Sequence, residues 1–163
     1  MPASKTVERV EVSPKHSSKS DLTCTRKVHF CAGHRVMGHE NKCKHLHGHN
    51  YDVYITARAE RLDEIGRVVD FSVLKGTVGS WIDENWDHGF LLWDRDEEAI
   101  ATLSNFLNGE QKLFLMPSNP TAENIASYVL DIGNSLLEGS GVKVVKVVVW
   151  ETQNCFAEAN YMD

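Results

Sequence analysis

The 163 residues predict an antiparallel α+β domain, and three observations carry that prediction. Two segments, 24–34 and 47–59, alternate apolar and polar side chains with a period of two, as half-buried strands do. Two later segments, from about 72 to 85 and from 121 to 137, place apolar residues at helical intervals. VKVVKVVVWE (142–151) and CFAEANY (155–161) then read as a second pair of strands. Hairpins at both ends with helices between them imply an antiparallel sheet covered by helices.

Residues 1–22 are polar, rich in Ser and Lys, and contain two prolines. They read as a flexible tail, with VERVEV as a short strand within it, and 23–163 reads as a single domain. From Cys24, one face of the first strand carries Cys24, Arg26, Val28, Phe30, Ala32 and His34, of which only Arg26 is charged. The polar loop MGHENKCK follows. The second strand puts His47, His49, Tyr51, Val53 and Ile55 on one face and Asn50, Asp52, Tyr54 and Thr56 on the other. GRVVDF (66–71) is expected as a short third strand. The helix after it carries Leu74, Val78, Trp81 and Ile82, with Gly76 and Gly79 weakening it.

DRDEEAIATLSNFLNGE suggests a shorter helix, KLFLM a strand, and WDHGF a polar loop. In SNPTAEN, Pro120 breaks the preceding segment, Thr121 can cap a helix, and Glu123 suits its positive end. Gly139 ends that helix.

The chain length suits one domain, and 42% hydrophobic with 25% charged residues is ordinary for a soluble protein. Acidic residues outnumber basic ones 23 to 17, which argues against a general nucleic-acid or membrane-surface binder. An anionic small substrate, governed by the local field of a pocket, stays open. Four cysteines without a CxxC pair, no opening apolar segment, and no run near the roughly 20 residues of a membrane span point to a cytoplasmic protein.

CKHLHGHNY (43–51) concentrates the chemistry. His47 and His49, two apart in an extended segment, project from one face, and Gly48 between them permits close approach. His34 ends the neighbouring strand on its buried face. Three imidazoles so placed suit a three-histidine zinc site with an open fourth position. Cys43, flanked by Lys42 and Lys44, has two readings. As a thiolate favoured by nearby cations it is a catalytic group; as a fourth ligand it would close a structural zinc site. Asp87 and His88 in WDHGF could act as an oriented acid or base. Glu151, among valines, needs a partner: either a structural Arg or Lys, or an amidine-like edge such as that of a pterin or guanine.

FCAGHRV, CKHLHGHNYDV, GRVVDF, WDHGFLL, NPTAENIA and VVVWET, in this order, resemble the 6-pyruvoyl-tetrahydropterin synthase / 6-carboxy-tetrahydropterin synthase family over about 24–161. The tail and the 93–114 region lie outside the matching motifs. The resemblance implies the tunnelling fold (T-fold): a four-stranded antiparallel sheet with two helices on one face, oligomerising into a β-barrel. It implies a homohexamer, a dimer of trimers, with active sites between subunits. It also implies zinc on His34, His47 and His49, catalysis by Cys43, Asp87 and His88, and pterin contacts from Glu151 and Thr121. The implied substrate is 7,8-dihydroneopterin triphosphate, with Cys43 abstracting a side-chain proton and His88, held by Asp87, relaying it.

Three residues separate Cys43 from His47 (CxxxHGH), which resembles the carboxy enzymes of queuosine biosynthesis; the pyruvoyl pattern has five. The expected products are 6-carboxy-tetrahydropterin, acetaldehyde and triphosphate. A 6-pyruvoyl product, a zinc hydrolase and a non-catalytic zinc protein are the rival readings.

Overall fold

The computed structural model describes residues 22–162, so the expected tail and its VERVEV strand lie outside the described residues. The elements are β1 (Thr23–His34), a 3₁₀ turn (Lys42–Lys44), β2 (His47–Ala59), α1 (Phe71–Leu74), a π-helical turn (Lys75–Gly79) and α2 (Ser80–Asn85). They continue with β3 (Gly89–Trp93), α3 (Glu97–Ser104), a 3₁₀ turn (Phe106–Gly109), β4 (Leu113–Met116), α4 (Ala122–Leu136), β5 (Val142–Thr152) and β6 (Cys155–Asn160).

The sheet has six strands in the order β4-β3-β1-β2-β5-β6. Its β1-β2-β5-β6 part is the antiparallel four-stranded unit the sequence predicts. β3 and β4 correct that expectation: each is parallel to its inner neighbour, so the whole sheet is mixed. The added strand does not come from GRVVDF. There the Asp63 carboxylate takes the backbone N–H groups of Ile65 and Arg67, Gly66 turns at φ +90°, and Asp70 caps α1 through the Ser72 N–H. Local polar groups claim the backbone before a ladder can form. The strand comes instead from the apolar run behind WDHG, whose Leu91 and Leu92 are fully buried.

One face of the sheet is covered. Phe30, Tyr51, Val53, Ile55, Val147 and Val149 pack against Leu74, Val78, Ile82 and Trp86 from the α1–α2 segment and Ile125, Ala126 and Val129 from α4. Fully burying each large apolar side chain contributes about 1.5–3 kcal/mol. A second, smaller cluster (Leu92, Ala99, Leu103) seats α3. α1, the π turn and α2 run on in helical backbone, so the two glycines do not break the segment. Gly79 has a reason to be there: a Cβ would lie 3.1 Å from Val28 of β1.

The other face carries Lys27, His29 and Cys31 of β1, Asn50, Asp52 and Tyr54 of β2, and Trp150 and Phe156 of β5 and β6. No helix of the described residues is long and apolar enough to cross a membrane.

Candidate metal centre and its surroundings

The β1–β2 register pairs His34 with His47 and Ala32 with His49, which brings all three imidazoles to one end of the covered face. One ligand atom from each lies within 4.8 Å of the others, so the three could hold a metal ion. The geometry also selects the tautomers. His34 Nδ1 lies 2.7 Å from the Pro120 carbonyl oxygen, and His47 Nδ1 lies 2.7 Å from that of His45. A carbonyl only accepts, so both Nδ1 atoms carry the proton and both Nε2 atoms are left with a lone pair. Those Nε2 atoms face each other at 3.1 Å, an arrangement that a cation between them would relieve.

His34 is almost wholly buried, and that burial pushes its pKa down to about 4, against the pull of the Pro120 bond. Burial also lowers His49. Neutral imidazoles are the form that binds a metal, so the donor set suits a borderline cation such as zinc.

Sequence reasoning missed the groups that hold this cluster. Tyr51 lies edge-on beneath His34 and His49, at ring-centroid distances of 6.0 and 5.6 Å. Its own burial raises its phenol far above the ordinary value. The Pro120 carbonyl is fixed by the loop around it: the Asn119 side chain binds both the N–H and the carbonyl of Met37, and Asn124 Nδ2 binds the Asn119 carbonyl. NPT in the sequence predicts a helix start; nothing there signals that its middle carbonyl would meet a histidine 86 positions away.

Glu151 joins the cluster. Its Oε1 is 3.4 Å from His34 Nε2 and 3.7 Å from His49 Nε2, and the side chain stays about a quarter exposed. Among the described residues its ion-pair neighbours are these two histidines rather than the Arg or Lys of its structural reading. Thr121 sits next to Pro120, with its hydroxyl accepting from the Asn124 N–H as the cap of α4.

Cys43 lies in the 3₁₀ turn between the two histidine strands, half-buried, its carbonyl accepting from the Val36 N–H at 2.8 Å. Asp87 and His88 sit elsewhere. The His88 N–H donates to the Cys31 carbonyl and Asp87 Oδ1 accepts from the Cys31 N–H, both at 2.7 Å. His88 opens onto a cavity of about 420 Å³ shared with Cys31, Asn50 and Phe90, on the side of the sheet opposite α1–α2 and α4. Asp87 Oδ2 holds His88 Nδ1 at 2.6 Å. Burial works to raise the Asp87 carboxyl, but the Cys31 amide, His88 and Lys112 together keep it below the ordinary range.

The structure thus brings the three histidines and Glu151 together and holds Asp87 and His88 as a pair apart from them. A mixed sheet with α1–α2 and α4 on one face, α3 on the other behind β3 and β4, and a three-imidazole cluster at its end define an α+β protein of the T-fold type with a candidate metal site. The family model described as 6-pyruvoyl tetrahydropterin synthase matches residues 23–161, and the chain belongs to that family.

Among its relatives, a 6-carboxy-5,6,7,8-tetrahydropterin synthase of Rickettsia bellii is 42% identical over 84% of this chain and 99% of its own. The protein of that name from Aquifex aeolicus is 36% identical over 86% of each. An uncharacterized protein of Wolinella succinogenes superimposes with a TM-score of 0.74 at 26% identity, covering 86% of this chain and 98% of its own. The 6-pyruvoyl tetrahydropterin synthase of Caenorhabditis elegans follows with a TM-score of 0.61 at 25% identity, over 86% and 96%.

Proposed function

We propose that residues 23–163 form one catalytic domain, a zinc-dependent 6-carboxy-5,6,7,8-tetrahydropterin synthase. It would act in the cytoplasm within queuosine biosynthesis, taking 7,8-dihydroneopterin triphosphate to 6-carboxy-tetrahydropterin, acetaldehyde and triphosphate. The observation that carries this reading is the cluster of His34, His47 and His49 with Glu151 beside it, in a chain so similar to enzymes of that name. The CxxxHGH spacing supports the carboxy product over the pyruvoyl one.

His34, His47 and His49 would hold zinc, which supplies Lewis-acid stabilisation of oxygen next to the carbon losing its proton. Glu151 would turn its carboxylate to the pterin's amino and ring N–H edge, a charge-assisted pairing. Thr121 would contribute a further pterin contact at the same end. Cys43, between Lys42 and Lys44, would take the side-chain proton as a thiolate. His88, oriented by Asp87, would relay it.

Cys43 and His88 of one chain are poorly placed for this. His88 is bonded to Cys31, three residues or about 10 Å back along β1 from His34, on the opposite face. The proposal therefore places the Asp87–His88 pair of one subunit against Cys43 of another, in a homohexamer of two trimers whose sheets close into a barrel.

The test is to incubate zinc-loaded protein with 7,8-dihydroneopterin triphosphate and identify products by mass spectrometry. The expected result is 6-carboxy-tetrahydropterin with acetaldehyde, lost by at least roughly a hundredfold in Cys43→Ala while zinc stays bound. A 6-pyruvoyl product would overturn the carboxy assignment, and unchanged substrate with zinc bound would overturn the enzyme. Release of zinc from Cys43→Ala would make that thiol a structural ligand.

A further inference from the structure

A second thiol, with its own acid–base partners, lies on the face of the sheet opposite the α1–α2 segment and α4. Cys31 Sγ donates to Asn50 Oδ1 at 3.0 Å and lies 3.7 Å from His29 Nε2. His29 Nδ1 is in turn 3.3 Å from Asp52 Oδ1, in the directly paired position on β2. The other Asp52 oxygen holds Lys27 Nζ at 2.8 Å, and the Lys27 bond followed by that of His29 keeps the carboxyl below its ordinary range. An ionised Asp52 fixes the His29 proton on Nδ1 and leaves Nε2 a lone pair that can take the thiol's single proton when it turns away from Asn50 Oδ1.

The thiol has a second imidazole nearby. His88, tied to Asp87, lines the same cavity as Cys31. One imidazole, oriented by Asp52, thus meets the sulfur, and a second, oriented by Asp87, borders the same cavity. The cavity is open but cramped: Ala32, Gly33 and Gly48 leave little but backbone on its walls, and the Phe90 ring lies across Gly33, where even a Cβ would be 2.3 Å from it. A second cavity of about 550 Å³, lined by His29, Asn50, Asp52 and Trp150, meets it at Asn50.

We propose that Cys31 is a nucleophilic thiol reactive toward small uncharged hydroperoxides, with His29 as its base, Asp52 as the positioning residue and His88 as the proton donor. The thiol proton passes to His29 Nε2 and the thiolate attacks one peroxide oxygen. An S–O bond forms as the O–O bond breaks, sulfur loses two electrons, and Cys31 becomes a sulfenic acid. Protonated His88 gives its proton to the departing hydroxide, which leaves as water, and the proton on His29 replaces it through solvent. This assignment shares the Asp87–His88 pair with the pterin reading but uses neither the histidine cluster nor Cys43, so labelling of Cys31 and its dependence on His29 are read separately from pterin turnover.

The experiment treats purified full-length protein with one equivalent of hydrogen peroxide, traps sulfenic acid with dimedone, and counts labelled peptides by mass spectrometry. Cys31 is expected to label at least about tenfold faster than Cys155, the exposed cysteine. His29→Ala should remove that excess, and added free imidazole should restore it, which a merely structural role for His29 would not allow. His88→Gln should slow the peroxide reaction more than alkylation by iodoacetamide, whose iodide leaves without a proton. Labelling of Cys31 no faster than Cys155, or an excess that survives His29→Ala, would overturn the proposal. Equal slowing of both reagents would remove His88 from it.

Discussion

At the scale of single residues, His34 is the most constrained group in the molecule. Its Nδ1–H is committed to Pro120, its Nε2 faces His47, and its side chain is closed to water. A proton on it would be both buried and set against two other imidazoles. Its pKa in the folded chain is therefore about 4, against 6.5 when unfolded. The sign follows: between these values the unfolded chain takes up a proton that the folded chain refuses, so unfolding gains on folding as pH falls.

The metal-free protein should lose about 3 kcal/mol of stability from this group between pH 7 and pH 4, a loss complete below about pH 4. Urea unfolding across that range checks it. In His34→Asn, whose side-chain amide stands where Nδ1 donates to Pro120, the pH dependence should be shallower; an unchanged slope would assign it to other groups. The histidines were legible because HxH in a strand and a third histidine at a strand end are patterns of sequence. Tyr51 and the Pro120 carbonyl were not, since one reads as core and the other has no side-chain signature.

Among the elements, β5 is the most instructive. Its valine-rich sequence predicts a strand, and the structure shows where that strand is irregular. Lys143 and Lys146 stand three apart, which a regular pleat would send to opposite faces. The register against β2 shifts between Thr56 and Ala57, so Arg58 pairs Lys143 and Thr56 pairs Lys146, with Val145 absorbed by the bulge. There Val144 turns its backbone to Asn134 of α4, whose Oδ1 accepts its N–H and whose Nδ2 donates to its carbonyl, each at 3.0 Å.

Asn134→Ala would strand both groups, and a loss of about 2–3 kcal/mol is expected in thermal or urea unfolding. A loss below about 0.5 kcal/mol would mean that water replaces the amide. The failure over GRVVDF has a similar cause. Its paired valines suit a strand, but Asp63 and Asp70 engage the backbone on either side.

For the whole molecule, the sheet order explains both what was read and what was not. Long antiparallel strands carry their own periodicity, so β1, β2, β5 and β6 were visible from sequence. KLFLM was read as a strand and is β4, whereas β3 was not read; both are short and parallel, and their partners are fixed by tertiary packing of Leu91 and Met116 rather than by any alternation. They leave β4 at one rim of the sheet and β6 at the other. An unpaired rim is a template for another chain.

The proposed hexamer uses those rims, and mass photometry of the purified protein should give a species of six chain masses. Active mixed oligomers from two inactive variants, Cys43→Ala and His88→Ala, should recover turnover, since some sites would then hold an intact thiol and an intact imidazole. A monomer that turns substrate over at full rate would contradict a shared site.

The turn that carries His88 has one further consequence. Its backbone stands at φ +58°, a left-handed conformation that disfavours a side chain with a Cβ. Glycine would suit that position better, and His88→Gly should fold more stably by about 1 kcal/mol. Folding and chemistry therefore pull this codon in opposite directions. A library of the gene screened only for thermal tolerance would drift toward glycine at 88, whereas one screened for turnover would keep the imidazole.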